Sequence, residues 1–385
     1  MNGKPRRTYF ACRHRHESIE SIEHRRASRV HSESVGASAV VAGAGLWPAS
    51  ASTIQDRSDP GGLLTSFFVV GDTHFLADKE RPAAMDATSS TICGRLVDTL
   101  NRLPGTSIPV EAGGGEVARV SGVIHAGDVI DTGDKGGRVH EEMQRTEWAA
   151  FADTYGLTGK DGRLQVPVYE VFGNHDAPQG TGHALEKIKE RNRKRPGLIH
   201  VSENGVHYSW DWGKAHFINL GLIVGDTETV TRKRRYAALG SLDFLIADVK
   251  EHVGTSGRPV ILTHHVDVGR YTGHCDPEAP ANSKEWDACD VRAYYEVIKN
   301  LNVVGIFYGH THTRDVFQWD GQSKLATTGI RVFNTDNASH FSGTAQAFFY
   351  VELYERQLVV REYMTRDGWQ TGAFTPQVWR SPVAS

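Results

Sequence analysis

Short apolar runs, each followed at once by Gly or Thr and then by polar residues, recur along the chain. Runs of this length, bounded by turn residues, predict buried β-strands that deliver polar side chains to a sheet edge. Five of them end in carboxylate, amide or imidazole side chains: Val69-Val70-Gly71-Asp72-Thr73-His74, Val123-Ile124-His125-Ala126-Gly127-Asp128, Val171-Phe172-Gly173-Asn174-His175-Asp176, Ile261-Leu262-Thr263-His264-His265 and Phe307-Tyr308-Gly309-His310-Thr311-His312.

Helical spacing appears between these strands. Residues 88–103, 139–156 and 239–249 carry apolar residues three and four apart, which predicts helices packed on a sheet. Residues 206–220 predict a hairpin, and the apolar runs at 348–351 and 358–360 predict antiparallel strands of a second sheet. The order of elements favours an α/β (α+β) protein with one domain over 63–380.

One long polar segment interrupts this order. Residues 266–292 contain Pro277, Pro280, Cys275 and Cys289 and predict a loop inserted over the strand ends. The two cysteines are expected to form a disulfide if the protein is exported, or to remain two buried thiols.

The first 62 residues are expected to lie outside the fold. A polar, basic segment with Arg25-Arg26 precedes a small-residue stretch, Val35 to Ala51, which ends in Ala49-Ser50-Ala51, similar to a signal-peptidase site. This pattern favours export to the periplasm or outside the cell. A disordered extension on a cytoplasmic protein is the alternative. No apolar run reaches the ~20 residues of a membrane-spanning helix.

Composition narrows the function classes. Of 385 residues, 39% are apolar and 40 are glycine, which suits a loop-rich globular enzyme. The net charge of −3 gives no whole-molecule reason to expect nucleic acid or acidic membranes. The basic runs 187–195 and 232–235 are typical of solvated surface and lack the interleaved aromatics of single-strand binders. The oligomeric state is open.

The strand-end residues suit phosphoester hydrolysis. Two metal ions about 3.5–4 Å apart can generate a nucleophile at neutral pH and offset charge on the phosphoryl oxygens. Such a pair needs a shared carboxylate together with imidazole and oxygen donors. Asp128 is the predicted bridge. The predicted ligands are Asp72, His74, Asp128, Asn174, His264, His310 and His312.

Other polar residues have predicted supporting roles. His175 is expected to protonate the leaving alkoxide, with Asp176 orienting its ring. Asp131 is expected to support the ligands, and His125, inside an apolar run, to be a buried structural histidine. Three further histidines of the domain are expected on the surface or in loops: His183, His274 and His340.

In this order, Asp72-x-His74, Gly127-Asp128-x-x-Asp131, Gly173-Asn174-His175-Asp176, His264 and Gly309-His310-x-His312 resemble the calcineurin-like metallophosphoesterase family, over residues 66 to about 315. The resemblance implies a four-layer αββα sandwich of two mixed sheets. It implies one metal on Asp72, His74, Asp128 and His312, and a second on Asp128, Asn174, His264 and His310. The ions would be Mn, Fe or Zn, with a metal-bridging hydroxide as nucleophile and His175 near the leaving group.

Departures from the family pattern limit what carries over. Thr132-Gly133 stands where protein Ser/Thr phosphatases of this superfamily carry an arginine, which disfavours that subclass. Val266-Asp267 follows the histidine pair where many members have prolines, so His265 competes with His264 as the ligand; His264 is preferred from its position at the strand end. The expected activity is hydrolysis of phosphomonoesters or small phosphodiesters. The alternatives are a nuclease on the same core and a non-catalytic scaffold.

Overall fold

The structure is a computed structural model that describes residues 59–281, 284–340 and 345–384. The described residues belong to one compact unit, Ser58–Ser385. The predicted N-terminal signal or extension, residues 1–62, lies outside the described residues except for its last four.

Strands and helices alternate through the first two thirds of the unit, and strands dominate the rest. The helices are α1 Ala87–Arg102, α2 Arg138–Tyr155, α3 His183–Asn192, α4 Ser241–Asp248 and α5 Ala288–Ile298. The strands are β1 Leu63–Val70, β2 Ala77–Asp78, β3 Arg81–Met85, β4 Val123–His125, β5 Val168–Glu170, β6 Leu198–Val201, β7 Tyr208–Trp212, β8 Ala215–Asn219, β9 Val260–Thr263, β10 Val303–Tyr308, β11 Asp315–Trp319, β12 Ile330–Asn334, β13 Gln346–Tyr354, β14 Gln357–Thr365 and β15 Ala373–Pro382.

Two large sheets carry most of these strands. The first has the order β15-β14-β13-β1-β4-β5, and the second has the order β11-β12-β10-β9-β8-β7-β6; β2 and β3 pair separately. Strands β1, β4 and β5 run parallel, whereas β13 is antiparallel to β1. In the second sheet β8, β9, β10 and β12 are parallel, whereas the pairs β11–β12, β7–β8 and β6–β7 are antiparallel. Both sheets are therefore mixed.

The sheets face each other across an aromatic core. Phe67 of β1 packs edge-on against Phe217 of β8, with ring centroids 5.4 Å apart, and against Phe307 of β10 at 6.1 Å. Its neighbour Phe68 points the other way, into a second core shared with Leu96 of α1. Because successive side chains of a strand alternate between faces, each sheet is buried on both sides. The predicted four-layer αββα sandwich is confirmed.

The register of the parallel strands decides where their carboxyl ends lie. Val70 pairs with His125, and His125 with Glu170, so β1, β4 and β5 end level with one another. In the second sheet Phe307 pairs with Thr263, so β9 and β10 also end level. Loops that follow parallel strands meet at one sheet edge, which is where such sheets bind ligands.

Most predicted elements are present, with two corrections. The strands predicted near 348–351 and 358–360 exist as β13 and β14, but they extend the first sheet, because Phe349 of β13 pairs with Val69 of β1. The loop predicted over 266–292 ends early: Asp287 caps α5, which begins at Ala288. Cys275 and Cys289 form a disulfide. Within the described part of the chain, no helix combines the length and apolar character that crossing a membrane requires.

Candidate metal centre

The candidate ligands follow the carboxyl ends of five strands and share an unusual backbone conformation. Seven non-glycine residues of the described chain have positive φ, and five of them are candidate ligands: Asp72 (53°), His74 (44°), Asp128 (51°), His310 (76°) and His312 (51°). Left-handed backbone at non-glycine residues costs about 1–3 kcal/mol each and concentrates at functional sites. The two sheets hold these loops in a backbone conformation that these residue types rarely adopt.

One group of donors lies between β1 and the loop after β10. The side-chain ligand atoms of Asp72, His74, Asp128 and His312 all lie within 4.8 Å of one another. Nε2 of His74 is 3.0 Å from Nε2 of His312 and 3.7 Å from Oδ2 of Asp128. The carboxylate of Asp72 accepts the backbone N–H of His310 at 2.8 Å, which ties the two sheets together at the group.

A second group shares Asp128 with the first. Oδ2 of Asp128 lies 3.1 Å from Nε2 of His265, which in turn lies 3.1 Å from Oδ1 of Asn174. The same Asn174 oxygen lies 2.7 Å from Nδ1 of His310. The ligand atoms of Asp128, His265 and His310 fall within 4.8 Å of one another. Asp128 is the carboxylate common to both groups.

The preference for His264 over His265 is corrected. His264 is fully buried and packs its ring against Trp286, Tyr294 and Tyr308, with ring centroids 5.4–6.0 Å away. Burial lowers the pKa of His264 to about 3, so its ring is neutral and belongs to the core. Nδ1 of His265 donates to the carbonyl oxygen of Ala126 at 2.7 Å, which directs Nε2 towards Asp128.

Three glycines allow the groups to come this close. A Cβ on Gly173 would overlap the Asp128 carboxylate, one on Gly309 would overlap the Asp72 carboxylate, and one on Gly127 would overlap the His265 ring. Each of these glycines directly precedes a candidate ligand in the sequence. They leave room for a side chain from another strand to pass against the backbone.

The electrostatics favour an ionised Asp128. Burial alone would raise the pKa of Asp128, but His265 and His74 beside it hold the pKa well below its usual range. For His265, burial lowers the pKa while the Asp128 carboxylate raises it, to a result of about 9. An anion surrounded by imidazoles in a dry setting is a strong site for a divalent cation, which would replace the imidazole protons.

The predicted role of Asp176 is also corrected. Its buried carboxylate accepts the backbone N–H groups of Gly173 at 2.7 Å, Ile130 at 2.9 Å and Val129 at 3.1 Å, and thereby fixes the loop that carries Asp128. Burial, followed by the charge of Asp128, raises the pKa of Asp176 to about 7. Its hydrogen bonds go to backbone N–H groups, and a backbone oxygen holds the His175 ring.

His175 lies at the open side of the groups. Its backbone N–H donates to Oδ1 of Asp128 at 2.7 Å, and its Nδ1 lies 3.0 Å from the carbonyl oxygen of Asp131. The side chain is 31% exposed and its ring centroid is 4.7 Å from that of His74. With Nδ1 donating to a carbonyl, Nε2 is the nitrogen left to exchange a proton with a substrate.

Asp131 and His125 take their predicted places. Oδ1 of Asp131 lies 3.2 Å from Nδ1 of His74, so a carboxylate sets the orientation of that imidazole. His125 is fully buried, its Nε2 is 2.9 Å from Oγ1 of Thr73, and burial lowers its pKa to about 4. His274 is exposed, and His183 begins α3.

Two residues near the groups were not predicted. His340, expected on the surface or in a loop, is in a loop, but its ring centroid lies 4.6 Å from that of His74, edge-on, and 4.7 Å from that of His312, and its ligand atom is within 4.8 Å of theirs. Glu285, placed only within a loop, lies with Oε1 3.2 Å from Nε2 of His310. His340 comes six residues after the end of β12, farther from its strand than the candidate ligands are from theirs, so no local motif marks it in the sequence.

The donor set fits a pair of first-row transition metals. It combines two carboxylates, one amide oxygen and four imidazoles: Asp72, Asp128, Asn174, His74, His265, His310 and His312. Mixed nitrogen and oxygen donors of this kind accept Mn, Fe or Zn, and a shared carboxylate permits two ions to lie close together.

A family model and several solved structures resemble this chain. A sequence model of the calcineurin-like phosphoesterase family matches residues 65–314. Among solved structures, a dimetal phosphatase from Danio rerio is 13% identical, with a TM-score of 0.47 over 84% of this chain and 100% of that chain. PhoD is 10% identical, with a TM-score of 0.45 over 81% and 68% of the two chains. GAP50, the anchor in the inner membrane complex of Plasmodium, is 12% identical, with a TM-score of 0.43 over 83% and 89%. No match was found among curated proteins.

Proposed function

Because the chain belongs to the calcineurin-like phosphoesterase family, we propose that it is a binuclear metal-dependent hydrolase of phosphomonoesters or small phosphodiesters. One observation carries the proposal: Asp128 lies at once within 3.7 Å of Nε2 of His74 and within 3.1 Å of Nε2 of His265. A single carboxylate between two separate sets of imidazoles is the arrangement that a shared bridging ligand requires.

Each proposed ligand set draws donors from both sheets. Asp72, His74, Asp128 and His312 would hold one ion, and Asp128, Asn174, His265 and His310 the other. When bound, the two ions would lower the pKa of a water molecule and offset negative charge on the phosphoryl oxygens. The chain's own contribution is to hold these donors before any metal arrives. The Asp131 carboxylate lies 3.2 Å from Nδ1 of His74, the Ala126 carbonyl accepts from His265, and the Asp176 carboxylate accepts from the backbone of Gly173.

His175 is the residue proposed to handle the leaving group. Its backbone is tied to Asp128, and Nδ1 donates to the Asp131 carbonyl, so Nε2 is available to give a proton to the departing alkoxide. Burial lowers its pKa, but the carboxylates of Asp128, Asp134 and Asp131 and the Asp131 carbonyl raise it above the usual value. A protonated His175 is the form needed when the leaving group is poor.

The substrate is proposed to approach past Tyr236 and Arg235. The Tyr236 ring is 6.2 Å from that of His310, and the exposed Arg235 guanidinium lies 5.3 Å over the Tyr236 ring. This arginine offers a positive charge near the proposed second ion. It comes from a different segment than Thr132, which occupies the position of the phosphatase arginine and here donates a hydrogen bond to Glu147. An exposed arginine of this kind suits a small anionic substrate.

The alternative function is a nuclease, which two basic runs of the sequence suggested. Most of the cations in these runs form ion pairs with acidic residues of the protein, which weighs against nucleic-acid binding. Of the six cations in 187–195, Lys187 and Lys189 pair with glutamates of the same helix, and Arg191 and Arg195 both bind the buried Glu170. In the second run, Arg232 and Arg234 bind Asp287 and Asp290. Charges already neutralised within the protein add little to phosphate-backbone binding.

The deciding experiment is a substrate panel on metal-reconstituted protein. Metal-free protein is loaded with Mn, Zn or Fe, and hydrolysis of nitrophenyl monoesters, nitrophenyl diesters and cyclic phosphodiesters is measured. Turnover that requires two bound ions per chain, and that is lost in Asp128→Asn, supports the proposal. Absence of turnover with every metal would refute it. Degradation of DNA or RNA with a steep salt dependence would favour the nuclease instead.

We further propose that the protein works in an oxidising compartment after export. The Cys275–Cys289 disulfide supports this, because such bonds persist mainly outside the cytosol. Thiol titration of the denatured, unreduced protein provides the test. The full chain should show two thiols, Cys12 and Cys93, and a chain cleaved after Ala51 should show one. Four thiols in protein purified from its native host would contradict the proposal.

A further inference from the structure

The loop after β9 brings a carboxylate to the far side of a candidate ligand. Oε1 of Glu285 lies 3.2 Å from Nε2 of His310, while Nδ1 of the same ring lies 2.7 Å from Oδ1 of Asn174. The two ring nitrogens therefore face different partners. A carboxylate only accepts hydrogen bonds, so Nε2 donates to Glu285. Nδ1 is then the nitrogen on the side of Asn174, and it would bind a metal ion in place of its own proton.

Glu285 is itself held from behind. Nε of Arg270 lies 2.5 Å from Oε2 of Glu285, and Nη2 lies 2.9 Å from Oε1, which makes a bidentate pair. The next residue, Trp286, is fully buried; its backbone N–H donates to the Arg270 carbonyl at 3.2 Å, and its indole N–H to Val266 at 3.3 Å. The Glu285 side chain is only 9% exposed, so water competes little for its carboxylate.

A covalent clip encloses this segment. The disulfide joins Cys275 to Cys289, so Glu285 lies inside the closed loop, four residues before its second cysteine. Cys289 lies in the first turn of α5, and Asp287, which caps this helix, binds Arg232 through two contacts of 2.8 and 2.7 Å. The end of the loop that carries Glu285 is thereby anchored to α5 and to the segment before α4.

We propose that Glu285 is a positioning residue for the second metal ion, acting through His310, and that the Cys275–Cys289 disulfide keeps it there. The inference rests on the proposed function, because it takes His310 as a ligand. A carboxylate on the remote nitrogen of a metal-binding imidazole fixes its tautomer and orientation and raises its basicity. Glu285 contributes the same kind of contact to His310 that Asp131 contributes to His74 in the other group.

Metal binding, measured apart from turnover, tests the proposal. Metal-free protein is titrated with Mn²⁺ or Zn²⁺ by calorimetry, in competition with a chelator where binding is tight. Glu285→Ala should lower the affinity for one of the two ions by about 10–100-fold and leave the affinity for the other unchanged. Glu285→Gln keeps the side-chain volume and one weaker hydrogen-bond acceptor, so its affinity for that ion should lie between those of Glu285→Ala and the wild type. Glu278→Gln, an exposed glutamate of the same loop, is the matched control and should bind both ions normally.

The disulfide arm uses the double variant Cys275→Ser/Cys289→Ser, which opens the clip without any reductant that could chelate metal. It should weaken the same ion as Glu285→Ala, and adding Glu285→Ala to it should produce little further loss. Melting of the metal-free proteins checks that each variant folds. Normal binding of both ions by folded Glu285→Ala and Glu285→Gln overturns this inference and leaves the proposed function intact. A wild-type chain that takes up no metal overturns both.

Discussion

Replacing His264 or His265 by phenylalanine should show which of the two histidines binds metal, because the two variants should differ in metal content. His265 lies 3.1 Å from both Asp128 and Asn174, whereas the ring of His264 lies among Trp286 and other aromatic residues of the core. The same substitution one position apart therefore removes a candidate ligand in one variant and only a buried structural ring in the other.

The expected magnitudes differ in kind. The second ion has four candidate donors, and a four-ligand zinc site binds with an apparent free energy of about 10–16 kcal/mol. Losing one donor of four should cost roughly 2.5–4 kcal/mol, or about two to three powers of ten in affinity, at ~1.4 kcal/mol for each power. His264→Phe inserts a larger ring but removes two buried ring nitrogens that have no hydrogen-bond partner. Because these effects oppose each other, the free energy of unfolding should change by less than about 1.5 kcal/mol.

The assay is metal content per chain after reconstitution and removal of free ions, combined with thermal melting of the metal-free proteins. We expect two ions in wild type and His264→Phe, and one in His265→Phe. For a domain of this size, the melting temperature of His264→Phe should stay within about 3 °C of the wild type. Loss of an ion in His264→Phe with two retained in His265→Phe would refute the assignment.

Four further outcomes follow. Asp128→Asn should lose both ions and all turnover with an unchanged circular dichroism spectrum; retention of one ion would contradict its shared role. His175→Ala should slow hydrolysis of alkyl esters by about 10²–10⁴-fold and of nitrophenyl esters much less, and equal losses would count against it as the proton donor. Arg235→Ala should raise KM about 2–5-fold at constant kcat, the size of a solvent-exposed ion pair; a fall in kcat alone would be the wrong result. Burial alone raises the pKa of Asp248, but hydrogen bonds from His216, a serine and a second histidine bring it below its usual value. The ionised Asp248 therefore stabilises the fold above about pH 4, and this stabilisation is lost as pH falls through the folded-state pKa. In urea unfolding, the difference in free energy of unfolding between wild type and Asp248→Asn should narrow on acidification. A difference that stays constant with pH would contradict this.

The strand ends were predictable because the signal is local. Gly71-Asp72, Gly127-Asp128 and Gly173-Asn174 each follow an apolar run, and parallel register then brings them to one edge. The choice between His264 and His265 was not local. Along β9, Ile261 faces the core between the sheets and Leu262 faces the helices. Continuing the alternation puts His264 on the helix side, but a strand buried on both faces has no polar residue in its sequence to reveal which face is which.

Tertiary contacts decide the remaining differences. His340 reaches His74 from a loop after β12, and Glu285 reaches His310 from the segment after β9. Neither residue belongs to a motif with fixed spacing, so sequence separation hides both contacts. Asp176 was expected to orient its neighbour His175 because the two are adjacent. The tight turn after Gly173 instead aims the carboxylate at the backbone of Val129 and Ile130.

The left-handed backbone at five candidate ligands has a consequence for directed evolution. Replacing His74 (φ 44°) or His312 (φ 51°) by glycine removes a steric penalty of about 1–3 kcal/mol at each position. A screen that rewards heat resistance of the metal-free protein would therefore tend to enrich substitutions at this sheet edge, and each would discard a donor atom. Selection for thermal tolerance in this protein needs a simultaneous requirement for turnover, because the positions where glycine relieves backbone strain are the candidate metal ligands.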